Sequence, residues 1–361
     1  MHRSGPRIGI VLLLAASGCA VEEGGPHAPA VVERVLPWAP EALPAAPEPE
    51  DNPTTPEKAA LGRLLFYDPI LSTDRAVACA TCHSEIWGMS DGLPRSIGVG
   101  GVGPTGPGRT GASLTRRNAQ TLWNVAHREA LFWDGRTASL EDQVIFPFHE
   151  ARELGRDPAE VVADLAAIPE YAARFAEAFP GDGAPVTLVH LQRAIAAFER
   201  TMVSDRSPYD QFIAGDEGAL NETAQRGMWL FAEVGCSGCH VPPRFEAEVF
   251  ADRRVAPAPG VRDEGRGAVT REAADQYAFR VPTLRNVRES GPYFHTGAVV
   301  ELVDAVRHEA GLAPRALDED EISAITTFLD KGLIDPSRSP GRPAKVPSGL
   351  PVPVDGFRIP R

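Results

Sequence analysis

Cys79-Ala80-Thr81-Cys82-His83 is the first of two Cys-x-x-Cys-His stretches in this chain, and Cys236-Ser237-Gly238-Cys239-His240 is the second. The pattern is typical of c-type heme attachment, in which both thiols form thioether bonds to the porphyrin and the following histidine binds the iron. Two intervening residues let the cysteines straddle the edge of the macrocycle, and the next side chain then lies under the metal. We therefore expect two covalently bound hemes, one on each stretch.

Two other kinds of site use closely spaced cysteines, namely a thioredoxin-type redox pair and one half of a zinc site. Each motif here carries its own histidine, and the chain has no further Cys-x-x-Cys pair that would complete a zinc site. Four of the five cysteines lie in the two motifs. The pattern favours heme attachment over both alternatives, and no structural disulfide is expected.

The remaining cysteine, Cys19, ends an N-terminal stretch that is typical of an export signal. A basic start is followed by an apolar run, Ile8 to Leu14, that is too short to cross a bilayer. Gly18 directly before Cys19 resembles a lipoprotein cleavage site, although Ala16 stands where leucine is more usual. We predict a signal peptide over residues 1–19 and a periplasmic protein. A lipidated Cys19 anchored to the outer membrane is favoured over ordinary cleavage nearby, and no other membrane attachment is expected.

The net charge excludes one class of partner. The chain carries 49 acidic and 36 basic residues and a formal net charge of −13 at pH 7. Such a balance argues against nucleic acid, whose phosphates attract lysine and arginine. It is compatible with a basic protein partner or with an uncharged substrate such as hydrogen peroxide.

Helical periodicity dominates the chain, and few segments alternate with period two. Capping residues predict helices that begin after Asp157, Thr187 and Asn221, and a last helix over about 318–331. We therefore predict a mostly α fold with two cytochrome c-like helical domains, each with one covalently bound c-type heme. The predicted order is a Pro-rich tether over 20–55, an N-terminal heme domain over 56–205, a C-terminal heme domain over 206–335 and a tail over 336–361.

The chain resembles the bacterial diheme cytochrome c peroxidase family, which includes the MauG-type enzymes. Four stretches around the two motifs carry the resemblance: LGRLLFYDPILS (61–72), FWDGRTASLEDQ (132–143), IAAFERTMVSDRSPYD (195–210) and VPTLRNVRESGPYFHTG (281–297). They hold their order and spacing over nearly all of residues 57–330. The glycine-rich stretch Gly98 to Pro104 also resembles the MbnH-type subgroup, whose members oxidise a tryptophan on a copper-binding partner.

The resemblance implies that peroxide reacts at the N-terminal heme, on His83, and that the C-terminal heme, on His240, passes electrons. Trp133 falls at the family position between the two hemes, and Glu153 at the position of the distal carboxylate. Such a carboxylate moves the proton that peroxide cleavage requires. Gln143 and Pro147 match positions that line the same pocket. The resemblance also implies a calcium ion bound by Asn118 and by the carbonyl groups of Ser290 and Pro292.

The sequence departs from the family pattern at two places. Val99 stands where many of the peroxidases carry a histidine that blocks the peroxide heme until the other heme is reduced, so we expect an open heme at rest. The family's distal ligand to the second heme, methionine or tyrosine, corresponds by register to Glu309. The adjacent His308 is the better ligand chemically, but one residue turns a helical side chain by about 100°. Both residues stay as candidates, and an open site or a different ligand is the remaining alternative.

These features predict a MauG-like enzyme that uses hydrogen peroxide and oxidises a periplasmic partner, such as a cytochrome, a cupredoxin or a copper-site protein. The alternative is a cytochrome c peroxidase that removes peroxide with electrons from a small cytochrome. A third reading is a diheme electron carrier without catalysis. Glu153 together with Trp133 argues against the carrier, because a carrier needs no proton shuttle.

Overall fold

The computed structural model describes Leu36, residues 38–181 and residues 183–356. The predicted signal peptide and Cys19 lie outside the described residues. Helices hold most of the regular structure, as predicted. The α-helices are α1 Pro56–Tyr67, α2 Cys79–Cys82, α3 Leu140–Gln143, α4 Phe146–His149, α5 Pro158–Ala167, α6 Pro169–Ala178, α7 Leu188–Arg200, α8 Pro208–Ile213, α9 Glu222–Glu233, α10 Gly267–Thr270, α11 Leu302–Ala310 and α12 Glu319–Thr327.

Shorter elements connect these helices. One two-stranded antiparallel sheet pairs β1, Phe250–Ala251, with β2, Phe279–Arg280. A π-helical turn, Phe328–Gly332, continues α12. The 3-10 turns are Pro69–Leu71, Glu85–Trp87, Val125–His127, Cys236–Gly238, Ala273–Asp275 and Val287–Glu289. None of the helices in the described ranges has the length and apolar character that a membrane span requires.

The predicted capping residues begin their helices. Asp157 accepts a hydrogen bond from the backbone of Ala159, and Pro158 occupies the first turn of α5. Thr187 caps α7 and Asn221 caps α9 in the same way. A cap satisfies an N–H group that has no partner within the helix, so its signal is local and can be read from the sequence.

Helix packing divides the described residues from Trp38 onward, which form one compact unit, into two lobes. In the N-terminal lobe α1 packs on α7, and in the C-terminal lobe α9 packs on α12. A glycine allows each close approach. A Cβ on Gly62 would lie 1.9 Å from the Ala194 carbonyl oxygen, and one on Gly227 would lie 2.0 Å from that of Ala324. The same helix crossing therefore occurs once in each lobe.

The two ends of the described chain pack on these lobes. Residues 38–55 of the predicted tether are irregular, and they pack on the lobes: the Trp38 indole donates a hydrogen bond to Tyr209, and the Pro44 carbonyl contacts His127. The described part of the tail also lies against the N-terminal lobe. There the Ser348 hydroxyl donates to Asp68 at 2.6 Å.

Candidate active site

The first Cys-x-x-Cys-His motif opens into a cavity of about 480 Å³ in the N-terminal lobe. Cys79, Cys82 and His83 line it together. The His83 Nδ1–H donates to the Met89 carbonyl at 2.9 Å, so Nε2 is the nitrogen left for a metal. Fixing one ring nitrogen in this way sets the tautomer and the orientation of a metal-binding imidazole.

The second motif opens into a separate cavity of about 310 Å³ in the C-terminal lobe, lined by Cys236, Cys239 and His240. The His240 Nδ1–H donates to the Phe245 carbonyl at 3.3 Å, which again leaves Nε2 for a metal. The lining is mostly apolar and contains residues of α9, α11 and α12. Both motifs thus present two thiols and one oriented imidazole to a cavity.

Both cavities fit a heme. Among the described residues, no three or more His, Cys, Asp and Glu side chains are grouped to hold a metal ion. Two buried guanidinium nitrogens there lack a hydrogen-bond partner, Arg128 Nη2 in the first cavity and Arg280 Nε in the second. Arginine suits the carboxylate side chains of a porphyrin. A buried unpartnered donor on each cavity wall is therefore the group that heme propionates would satisfy.

Trp133 lies between the cavities and lines both of them. It is 9% exposed, and its indole N–H donates to the Asn118 carbonyl at 2.9 Å. Its own carbonyl accepts from the Arg280 backbone at 2.7 Å, so the residue is held by both lobes. The His295 ring meets it edge-on at 6.4 Å between centroids. This indole has one fixed orientation between the two sites.

Glu153 lines the first cavity together with Gln143 and Pro147, at the positions the sequence predicted. Burial raises the pKa of Glu153 to about 7, and neighbouring Glu150 adds to the rise while Arg136 opposes it. A carboxylate with such a pKa can both take up and release a proton near neutral pH. His149 lines the same cavity from an exposed position.

Val99 is half-buried on the glycine-rich loop and is not among the residues that line the first cavity. Arg109 fixes this loop from inside. Its guanidinium donates to the carbonyl oxygen of Ile97 at 2.6 Å and to those of Gly98 and Gly103 at 3.2 Å. Of the described histidines, His83 and His149 line the first cavity.

Glu309, and not His308, lines the second cavity. The His308 ring is turned away and its Nε2 bonds the Arg253 carbonyl at 2.7 Å. The Glu309 carboxylate accepts from Arg253 Nε at 2.9 Å. The sequence contains a signal that favours Glu309: it shares a helical face with Leu302 and with the buried Ala305.

Asn118, Ser290 and Pro292, the predicted calcium ligands, all lie within the described residues. The Asn118 side-chain amide donates to the Leu93 carbonyl at 2.8 Å, and the Asn118 backbone N–H donates to the His295 carbonyl at 2.8 Å. Ser290 and Pro292 lie on either side of Gly291, next to the 3-10 turn Val287–Glu289. Calcium stays a prediction at this position.

Sequence reasoning missed two buried groups in the cavities. Glu199, on α7, lines the first cavity, its Oε2 has no partner within the described ranges, and burial raises its pKa to about 8. His295 lines the second cavity and stacks on Phe279 at 3.5 Å, and burial lowers its pKa to about 4. The only signal for either was its place within a family-like stretch.

Similarity to known proteins agrees with this geometry. Residues 56–218 match the family model described as di-haem cytochrome c peroxidase. The methylamine utilization protein MauG of Methylorubrum extorquens is 40% identical over 81% of this chain and 83% of its own length. The cytochrome c551 peroxidase of Pseudomonas aeruginosa is 36% identical over 77% of this chain and 79% of its own.

A solved structure is also similar. The crystal structure of a MauG-like protein associated with microbial copper homeostasis superimposes with a TM-score of 0.71 at 28% identity, over 82% of this chain and 95% of that one. Two heme-attachment motifs and these relatives define a diheme peroxidase-type oxidoreductase. The chain belongs to the diheme cytochrome c peroxidase and MauG family.

Proposed function

We propose that this protein is a MauG-like enzyme of the periplasm, which reacts with hydrogen peroxide at the N-terminal site and oxidises a partner protein through a heme pair bridged by Trp133. The observation that carries the proposal is the position of Trp133, whose indole lines both cavities. The same proposal includes a domain limit between residues 205 and 206 and a lipid anchor at Cys19. It also includes a calcium ion bound by Asn118, Ser290 and Pro292.

Glu153 carries the proton step. A heme bound in the first cavity supplies the iron that takes peroxide and the electrons for its reduction. For the O–O bond to break heterolytically, one oxygen must lose a proton and the other must gain one. The Glu153 carboxylate accepts the first proton and returns it to the leaving oxygen, which departs as water. Gln143 and Pro147 line the same space and limit the positions that peroxide can take.

Trp133 carries the electron step. Its indole can give up one electron and regain it from the other side, so the two sites share the oxidising equivalents of peroxide. The hydrogen bond from its N–H to the Asn118 carbonyl stabilises positive charge on the ring during this exchange. The Arg280 contact to the Trp133 carbonyl keeps the ring in place while charge passes.

Reaction without prior reduction follows from the glycine-rich loop. Val99 cannot ligate iron. Arg109 donates hydrogen bonds to the carbonyl oxygens of Ile97 and Gly98, which fixes the start of the glycine-rich loop. Peroxide therefore has access to the N-terminal site in the fully oxidised protein. This property separates the proposal from the alternative, a cytochrome c peroxidase that a small cytochrome must first reduce.

Glu309 would bind the iron of a heme in the second cavity, because it faces the cavity while His308 faces the Arg253 carbonyl. An anionic oxygen ligand lowers the reduction potential relative to a methionine ligand. A low potential suits a site that stores oxidising equivalents for a partner. Low-temperature electron paramagnetic resonance of the oxidised protein distinguishes carboxylate from imidazole ligation.

The partner is proposed to be a periplasmic redox or substrate protein, such as a cytochrome, a cupredoxin or a copper-site protein. The similarity to a MauG-like protein associated with microbial copper homeostasis supports the last of these. An exported copper-site protein encoded beside this chain would support it further. A small cytochrome in that place would support the alternative.

Trp133→Phe tests the bridge. The variant keeps an aromatic ring between the cavities but removes the easily oxidised indole, so electron sharing between the hemes should slow by at least about tenfold. Rapid-mixing spectroscopy of both heme bands after one equivalent of peroxide measures the rate. Trp123→Phe is the matched control, because Trp123 is 2% exposed and lines neither cavity. An unchanged rate in Trp133→Phe would refute the bridge.

A further inference from the structure

A series of aromatic rings connects the second heme site with the N-terminal segment. The Phe231 ring lies 6.4 Å from the ring of His240, the proposed iron ligand. Phe245 follows at 6.2 Å from Phe231, and the Trp38 indole follows at 6.2 Å from Phe245. Each distance is between ring centroids, so no step in the series is longer than an ordinary aromatic contact.

Trp38 and Tyr209 form the outer end of the series. The Trp38 Nε1–H donates to the Tyr209 hydroxyl oxygen at 2.8 Å. Tyr209 is fully buried and packs edge-on against Phe245 at 4.8 Å, whereas Trp38 is half-buried and reaches solvent. A pair of easily oxidised side chains thus sits where the aromatic series meets the surface.

The chemistry of the pair places the charge on the indole. A phenol loses its proton when it is oxidised, and among the described residues the Tyr209 hydroxyl has no acceptor for that proton. Burial also raises the pKa of Tyr209 to about 12. An indole can lose an electron and keep its N–H, and the hydroxyl oxygen that accepts this N–H stabilises the positive charge. Phe231 and Phe245 are too hard to oxidise and only shorten the gap.

We propose that Trp38 is a redox-active exit site, from which oxidising equivalents of the second heme leave the protein for a partner. The inference rests on the proposed function. Reduction of one peroxide to two waters consumes two protons and two electrons. Trp38 supplies the electrons one at a time along Phe245, Phe231 and His240. A side chain of the partner re-reduces the indole after each loss, so the partner is the net electron donor.

The chain segment that follows Trp38 is acidic in sequence. Between Trp38 and Lys58 the chain carries Glu41, Glu48, Glu50, Asp51 and Glu57 and no lysine or arginine. A partner with a basic face around its oxidisable residue would be drawn to this segment, and the attraction would weaken with salt.

The test is to locate the radical. The heme-loaded, fully oxidised protein with ring-deuterated tryptophan is mixed with one equivalent of peroxide without a partner, and electron paramagnetic resonance is recorded after rapid freezing. An indole radical is expected in the parent and should be lost in Trp38→Phe, which keeps a ring against Phe245. After repeated peroxide additions, peptide mass spectrometry should find oxidation at Trp38 ahead of Tyr277, which is more exposed at 57%.

Two variants separate the possible outcomes. Tyr209→Phe keeps the ring but removes the oxygen that accepts the N–H, so the radical should decay about tenfold faster. Tyr277→Phe should leave the radical unchanged. If the heme bands respond to peroxide but the radical survives in Trp38→Phe, the exit site is wrong and the proposed function stands. If the heme bands do not respond in the parent, the proposed function fails and the exit site with it.

Discussion

At the scale of single residues, the proposed proton chemistry depends on Glu153. Burial raises its pKa to about 7, so the carboxylate that accepts the proton of peroxide is lost as the pH falls below that value. We expect the rate of the peroxide reaction to fall about tenfold per pH unit below this point. Stopped-flow measurement of the N-terminal heme band from pH 5 to pH 9 gives the profile.

Variants of the residues around Glu153 serve as controls. Glu150→Gln should move the inflection to lower pH, because it removes a negative charge that raises the pKa, and Arg136→Gln should move it to higher pH. Glu153→Gln should be slow at every pH while both heme spectra stay nearly unchanged. A full rate in Glu153→Gln would show that another group moves the proton.

The site residues also differ in how far the sequence alone predicts them. Cys79, Cys236 and their motif partners could be predicted because attachment chemistry fixes their spacing within five residues. Glu309 against His308 was left open, since the choice depends on the rotation of α11 against the second cavity. Glu199 was missed because its place in a family-like stretch does not distinguish it from other glutamates of an acidic chain until its burial is known.

At the scale of elements, the two helix crossings set the shape of the heme lobes. Gly62→Ala and Gly227→Ala each place a Cβ about 2 Å from a facing carbonyl oxygen, so the helices must separate. We expect each variant to lose about 1–3 kcal/mol in the free energy of unfolding, measured with denaturant on the heme-loaded protein. Gly183→Ala is the control, because a Cβ there meets no atom within 4 Å. Equal stability in all three would contradict the crossing.

The residues at which the helices begin could be predicted from the sequence, but the helix against which each one packs could not. Asp157, Thr187 and Asn221 cap the helices that follow them, because capping needs only neighbours in the chain. Gly62 on α1 contacts Ala194 on α7, although the two residues lie near opposite ends of the N-terminal lobe in sequence. α1 contains one glycine and α7 contains none, and nothing in their periodicity says which residue of α7 that glycine faces, so the shared crossing emerges only from the structure.

At the scale of the whole molecule, a buried ion network joins the lobes. The Glu246 carboxylate accepts from Arg128 at 3.0 Å and also pairs with Arg280. Burial alone would raise the pKa of Glu246, but Arg128 and Arg280 hold it below its usual value. Because each arginine also lines one cavity, the network fixes the lobes and the two sites relative to each other.

Glu246→Gln should therefore weaken the whole molecule. The variant leaves the buried Arg128 guanidinium without its carboxylate and Arg280 with Glu248 alone, and we expect a loss of about 3–5 kcal/mol in the free energy of unfolding at pH 7. A lowered pKa means that the ionised carboxylate stabilises the fold above the usual range of glutamate and loses this effect in acid. The deficit of the variant should therefore persist down to the usual pKa of glutamate and shrink only as the pH falls below it. A deficit that does not depend on pH would point to packing rather than charge.

The central claim is that the oxidised protein reacts with peroxide directly and shares the oxidation between both sites. Anaerobic mixing of the fully oxidised protein with one equivalent of hydrogen peroxide, followed by rapid-scan absorption of both heme bands, tests it most directly. We expect both heme bands to change immediately, with no reductant added. Inertness until one heme has been reduced would contradict it and would indicate the cytochrome c peroxidase mechanism instead.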